Sequence, residues 1–301
     1  MNWLNAFELM CYLITALMLF DLIRRRDWEA LYTFGSAALV GFVMELLAVA
    51  VTDIYEYNNG FWLSLGVPPK QFPFFGGLMW GALTVYGIRL AEKLRMGRVM
   101  TALTAGMLIV SMDLLLDVAA IRLDGGFWVW IGKPITWGID QHTFMSVIWV
   151  NFLGYMIETP TVVWLVLRKR ECLAPTDWRR QLPQMLLISL LAILVTAAGS
   201  LVALGLNLLT DDWFACVAFL LLWGTMLACI LRHVCAMRPH LRLSHRPDWP
   251  LTIFWLGMYG YCLVALTALG TPKEHPWFLA LGAGLALATL TLCLCDAPDK
   301  A

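Results

Sequence analysis

The stretch Ser111-Met-Asp-Leu-Leu-Leu-Asp-Val-Ala-Ala120 places two carboxyls, Asp113 and Asp117, inside an apolar run long enough to cross a bilayer. Residues four apart share a helix face, so both acids point the same way. A carboxylate in hydrocarbon costs a few kcal/mol or more, so intramembrane acids face a bundle interior and mark a working site. The fold and the function are therefore read from what surrounds this pair.

Apolar residues make up 60% of the 301 and charged residues 14%, against about half and about a quarter in soluble domains. Nine runs near membrane-crossing length cover 3–23, 30–51, 72–90, 99–120, 143–167, 182–208, 213–230, 251–269 and 277–295. Of the 21 Lys and Arg, seventeen fall in loops on one side of this arrangement. Only Lys70, Arg122, Lys133 and Lys273 fall on the other. The positive-inside rule then sets the N-terminus outside and the C-terminus in the cytoplasm. The expectation is an all-α, polytopic integral membrane helical bundle of about nine helices, located in a bacterial cytoplasmic (inner) membrane. It forms one membrane domain over 1–301, with a five-helix part (1–167) that carries the site and a four-helix part (182–296). No removable signal peptide is read at the N-terminus.

Zero formal charge with scattered basic residues gives no reason to expect nucleic acid. Cys11, Cys216, Cys229, Cys262, Cys293 and Cys295 lie in apolar runs and read as buried thiols. Five dispersed histidines are too few for a histidine-rich di-iron oxygenase. His240 and His245 read as solvated loop residues, so no metal is expected. The loops at 52–71 and 122–142 are long and rich in aromatics, and we expect them to fold back over the outer mouth of the bundle.

Around the aspartates three helices carry polar groups at one depth. Glu45 lies on the second span, and Asn151 and Glu158 share a face of the fifth. Glu45, Asp113 and Asn151 each lie roughly 9–10 Å inside the outer end of their helix, with Asp117 about one turn shallower. Gly41, Gly106 and Gly154 are expected to let the helices approach closely. Glu158 is deeper and reads as a support or as a separate proton site. Without a deep Lys or Arg nearby, at least one acid of the set is expected to be neutral at pH 7.

A neutral acid in an apolar pocket can protonate an alkene, and water or a second double bond then captures the cation. Aromatic faces from Tyr55, Tyr57, Trp80, Phe152 and Tyr155 would stabilise that cation, with Trp128 and Trp130 added from the outer loop as substrate-binding candidates. Magnesium–diphosphate chemistry is a second option, because Asp-x-x-x-Asp also occurs in intramembrane prenyltransferases. Those need two acidic motifs near the cytoplasmic face, and this chain has one, at the outer end. Proton-coupled transport is a third, weakened by the lack of an inverted repeat or broken helix pair.

The runs Gly41-Phe-Val-Met-Glu45, Tyr55-x-Tyr57, Leu65-Gly-Val-Pro-Pro69, Trp80, Asp113-Leu-Leu-Leu-Asp117, Gly126-Phe-Trp-Val-Trp130 and Asn151-Phe-Leu-Gly-Tyr155 together resemble the carotenoid biosynthesis proteins that include the bacterioruberin-type carotenoid hydratases. The resemblance covers about 39–166. Phe144-Met-Ser-Val-Ile-Trp-Val150 departs from the family's Gly-x-Pro, Asp140-Gln-His142 has no counterpart, and nothing beyond Leu182 is recognised. It implies a membrane protein that adds water across a terminal double bond of a long acyclic carotenoid without a redox cofactor. It also places Glu45, Asp113, Asp117 and Asn151 at the family's polar motif positions.

The expected partners are a lipophilic isoprenoid or carotenoid substrate and membrane lipids, with further protein partners open. The expected activity is hydration: Asp113 or Asp117 donates the proton, the other carboxylate or Glu45 positions water, and Asn151 fixes the pair. A terpene or carotenoid cyclase using the same acids is the alternative, as is a non-catalytic carotenoid- or lipid-binding subunit of a membrane complex.

Overall fold

The computed structural model describes residues 2–173, 178–237 and 243–296; His240 lies outside them. Nine helices among the described residues are long and apolar enough to span a membrane. They are α1 (Trp3–Arg25), α2 (Trp28–Val51), α3 (Phe74–Glu92), α4 (Arg98–Ala120), α5 (Trp149–Leu173), α6 (Trp178–Leu209), α7 (Trp213–Met237), α8 (Trp249–Ala268) and α10 (Pro276–Leu294), with a single turn, α9 (Thr271–Glu274), before the last.

The fifth helix starts at Trp149 and not near 143. Residues Thr143–Phe144 (β5) and Val147–Ile148 (β6) form a hairpin whose turn residues, Met145 and Ser146, take left-handed φ values of 49° and 69°. Three of the four strand residues are apolar, and hydropathy alone does not separate a buried hairpin from the first turns of a helix.

Helix α4 is the axis of the bundle. It packs against α3, α5, α7, α8 and α10, and nearly all of it from Thr101 to Ala120 is buried. Burial on every side explains why its sequence is apolar all round rather than striped. Helices α6, α7 and α10 instead turn most of their side chains outward. Cys229 belongs to that outward surface: it is exposed, contrary to its reading as a buried thiol. The C-terminal helices share the main core, where Trp255 and Met258 of α8 and Phe278 of α10 join Phe7 of α1 and Leu115 of α4.

One end of the bundle is covered by the two long loops, which are paired to each other. Tyr55–Tyr57 (β1) runs antiparallel to Trp128–Trp130 (β4), with Tyr55 opposite Trp130 and Tyr57 opposite Trp128. A second hairpin, Ser64–Val67 (β2) with Lys70–Pro73 (β3), leads into α3. Gly126 makes the turn into β4 at φ 95°, and a Cβ there would stand 2.9 Å from the Trp128 carbonyl oxygen. Buried Glu8 of α1 anchors this cover by accepting from the amides of Trp62 (2.8 Å) and Leu63 (3.2 Å).

The opposite end is tied by ion pairs. Arg89 reaches Asp27 and Asp248, Arg25 reaches Asp21 and Asp248, and Arg170 reaches Glu29 and Glu92. His245 is exposed at this end, and no group of three or more His, Cys, Asp or Glu among the described residues could hold a metal ion.

Candidate active site beneath the paired loops

Directly under the β1–β4 pair lies a cavity of about 90 Å³, between α2, α3, α4 and α5. Pockets that engulf a drug-sized ligand run about 300–1,000 Å³, so this one fits the branched end of a chain and not a whole carotenoid.

Asp113 and Asp117 reach the cavity from α4, each only 2% exposed. Their environments differ. The Asn151 amide on α5 donates to Asp117 Oδ2 at 2.6 Å. Asp113 sits within interaction range of Asp117 and of the Tyr155 hydroxyl, yet its Oδ2 has no hydrogen-bond partner among the described residues. One acid is held and the other keeps a free oxygen.

Glu45 lines the cavity from α2. Its Oε2 accepts from the Tyr55 hydroxyl at 2.6 Å and the Tyr57 hydroxyl at 3.0 Å. Strand alternation puts Tyr55 and Tyr57 on the same, inward side of β1. Burial, reinforced by the neighbouring Glu45, pushes both phenols well above the usual tyrosine range, so both remain donors.

The aromatic wall is continuous. Tyr55 meets Trp130 edge-on at 5.3 Å, and Tyr57 meets Trp128 at 6.0 Å and Phe72 at 5.4 Å between ring centroids. Trp80 of α3 stacks on Tyr155 of α5 at 4.9 Å and 23° and crosses Gly41 of α2 so closely that a Cβ there would lie 2.4 Å from its ring. Gly106 likewise admits Pro160 of α5. Gly154 does not act this way: a Cβ there would meet nothing within 4 Å, so this glycine borders open space and not a close helix crossing.

Ten of the eleven candidate residues line the cavity. Phe152 is the exception. It is fully buried among Phe144, Trp149 and Phe219, on the α7 side of α5, because one residue past Asn151 turns the side chain about 100° round the helix. Glu158 also lies outside the cavity wall, buried, with Oε1 unpartnered. Sequence reasoning missed the rest of the lining, among it Phe7, Phe75, Met79, Leu83, Met112 and Met258. As ordinary apolar residues of spanning helices they carry no local signal.

Other buried acids show what a structural role looks like here. Glu8 is satisfied by two loop amides, and Asp21 by Arg24 and Arg25. Glu45, Asp113 and Asp117 have no cation beside them in the cavity wall, where no Lys or Arg among the described residues takes part. Carboxyls held without a counter-ion against aromatic and aliphatic walls can give and take protons at a hydrocarbon.

A family model described as carotenoid biosynthesis protein matches residues 6–224. That is well beyond the stretch recognisable by motif, and it takes in α6 and part of α7. No curated protein matches the chain, and no solved structure does.

Proposed function

Given that the chain belongs to the carotenoid biosynthesis protein family, we propose that it hydrates a terminal double bond of an acyclic carotenoid or related isoprenoid by intramembrane acid catalysis. The observation that carries this reading is the inequality of the two aspartates lining an aromatic cavity: Asp117 is held by Asn151, while Asp113 Oδ2 is buried without a partner among the described residues.

In this mechanism Asp113 is the acid. Its proton goes to the less substituted carbon of the terminal alkene, the π pair forms the new C–H bond, and positive charge develops on the tertiary carbon. Trp80, Tyr155, Tyr57 and Trp128 of the cavity wall would stabilise that charge. Water positioned at Glu45 bonds through oxygen to the cationic carbon. The proton it sheds goes to a cavity carboxylate and returns to Asp113, so the net change is one added water. Asn151 is a positioning residue that acts through Asp117.

The Glu45–Tyr55–Tyr57 cluster favours hydration over cyclisation, because it supplies a polar wall where captured water would sit. A cyclase would place a second alkene there instead. In the membrane we place the paired loops outside, with the arginine-rich end at the cytoplasmic face of a bacterial inner membrane. A non-catalytic pigment-binding subunit is the reading that failure of the following test would favour.

The test uses purified protein in lipid nanodiscs loaded with lycopene, incubated in water enriched in oxygen-18. Hydration predicts a pigment carrying the heavy oxygen. A pigment of unchanged mass but new retention would point to cyclisation, and recovery of lycopene alone would count against catalysis on it.

A further inference from the structure

The cavity holds an end group only, so the rest of a long substrate must lie elsewhere, and the packing of α6 shows where. At the end away from the loops, α2, α5 and α6 form one apolar cluster in which Ala37 and Val40 meet Val162, Val163, Ile188 and Ala192. Met185 of α6 crosses Gly35 there, and Ser36 bonds to its carbonyl. Nearer the loops α6 packs on α5 and α7. Gly199 lies over Ile157 of α5, and Ala203 joins the core beside Ala215 and Phe219 of α7. At this depth no atom of a neighbouring element among the described residues lies within 4 Å of a Cβ placed at Gly154 of α5.

Two observations mark that flank. Glu45, Asn151 and Tyr155 line the cavity yet are only half-buried, unlike the two aspartates. Gly154 shares the face of α5 with Asn151 and Tyr155, is not part of the cavity wall, and borders open space.

We infer that the gap between α2 and α5 beside Gly154 is a lateral portal and binding groove for the apolar chain of an isoprenoid dissolved in the bilayer. Its end group enters sideways to the acids while the chain stays in contact with lipid. This rests on the alkene-hydration reading for the chemistry of the occupant. The occupant is one long apolar chain because Asn151 and Tyr155 line the cavity on the same face of α5 as Gly154, because the cavity accepts no more than a chain's end, and because the loops cover the aqueous end of the bundle.

The experiment is Gly154→Trp in the full chain, reading two quantities in nanodiscs: lycopene retained per protein, and hydrated product. Gly224→Trp is the control, on an exposed turn of α7 where a side chain also meets nothing within 4 Å. The groove predicts at least a tenfold loss of retained lycopene, and of product, in Gly154→Trp, with Gly224→Trp matching the unaltered protein. Lycopene retained equally by Gly154→Trp overturns the groove, and so does an unaltered protein that retains none. If the unaltered protein retains lycopene without forming product, and Gly154→Trp still loses it, the groove stands and the hydration reading falls. Should Gly154→Trp fail to fold, Gly154→Cys is alkylated with a bulky maleimide after purification, against the unaltered protein treated identically. Loss of pigment on alkylation of the variant alone supports the groove, and no loss overturns it.

Discussion

The Asn151 amide donates to Asp117 Oδ2 at 2.6 Å. Asp113, one turn earlier on α4 and equally buried, keeps an oxygen without a partner. One i, i+4 motif on one helix face therefore contains one acid whose Oδ2 is bonded from a neighbouring helix and one whose Oδ2 has no partner among the described residues.

Replacing Asn151 by Leu removes the hold on Asp117 but leaves the acid at Asp113. Product formation falls about ten- to a hundredfold, less than the ~10²–10⁴ expected for loss of a general acid, while retained lycopene is unchanged. Chromatography of pigment bound to and released from the purified variant measures both. A loss of binding in step with product would make Asn151 part of the substrate pocket instead.

Tyr55 and Tyr57 hold their protons more tightly when folded than when unfolded. Their contribution to stability is thus complete below about pH 10, the ordinary tyrosine value, and is lost only as pH rises through the raised folded values. The expected result is that the difference absorbance titration between the unaltered protein and Tyr55→Phe/Tyr57→Phe shows no tyrosinate at pH 10. Each single Phe substitution leaves Glu45 one phenol donor and costs about 1 kcal/mol. The double variant removes both phenol donors and costs more than the sum, as read from thermal unfolding in detergent.

Glu56 and Val129 face each other across β1 and β4, on the side away from the inward-pointing Tyr55 and Tyr57. Opposed Cα atoms of an antiparallel pair lie within disulfide range. Glu56→Cys/Val129→Cys therefore cross-links under mild oxidant, locking the cover. Because the substrate enters between helices, hydration by the oxidised form stays within about twofold of the reduced form. An inactive oxidised form, restored by reduction, would show that the loops must open.

Gly41→Leu puts a side chain into the space occupied by the Trp80 ring. Overpacking of this kind costs about 1–3 kcal/mol, and here it also breaks the stack of Trp80 on Tyr155. We expect a lowered unfolding temperature, a changed tryptophan emission and at least tenfold less product.

The spans were legible because a membrane helix advertises itself by length and hydropathy, and the polar cluster because an acid in such a span is conspicuous. Legibility ended where neighbours decide. The 143–148 hairpin is as apolar as a helix, and its turn uses Met145 and Ser146 instead of glycine. Phe152 carries the right chemistry on the wrong side of α5. Gly154 looked like a contact and is a space, since a glycine's sequence context does not say whether a partner fills the room it leaves. Met258 lines the cavity from α8, a contact between remote helices that no local pattern encodes.

The most direct test of the central claim is to express the unaltered chain, Asp113→Asn and Asp117→Asn in a lycopene-producing bacterium and weigh the extracted pigments by mass spectrometry. The account predicts a pigment heavier than lycopene by one water with the unaltered chain, and only lycopene with either variant at equal protein level. The hydrated pigment persisting in Asp113→Asn would contradict the assignment of the acid. Lycopene alone from all three would contradict hydration of this pigment altogether.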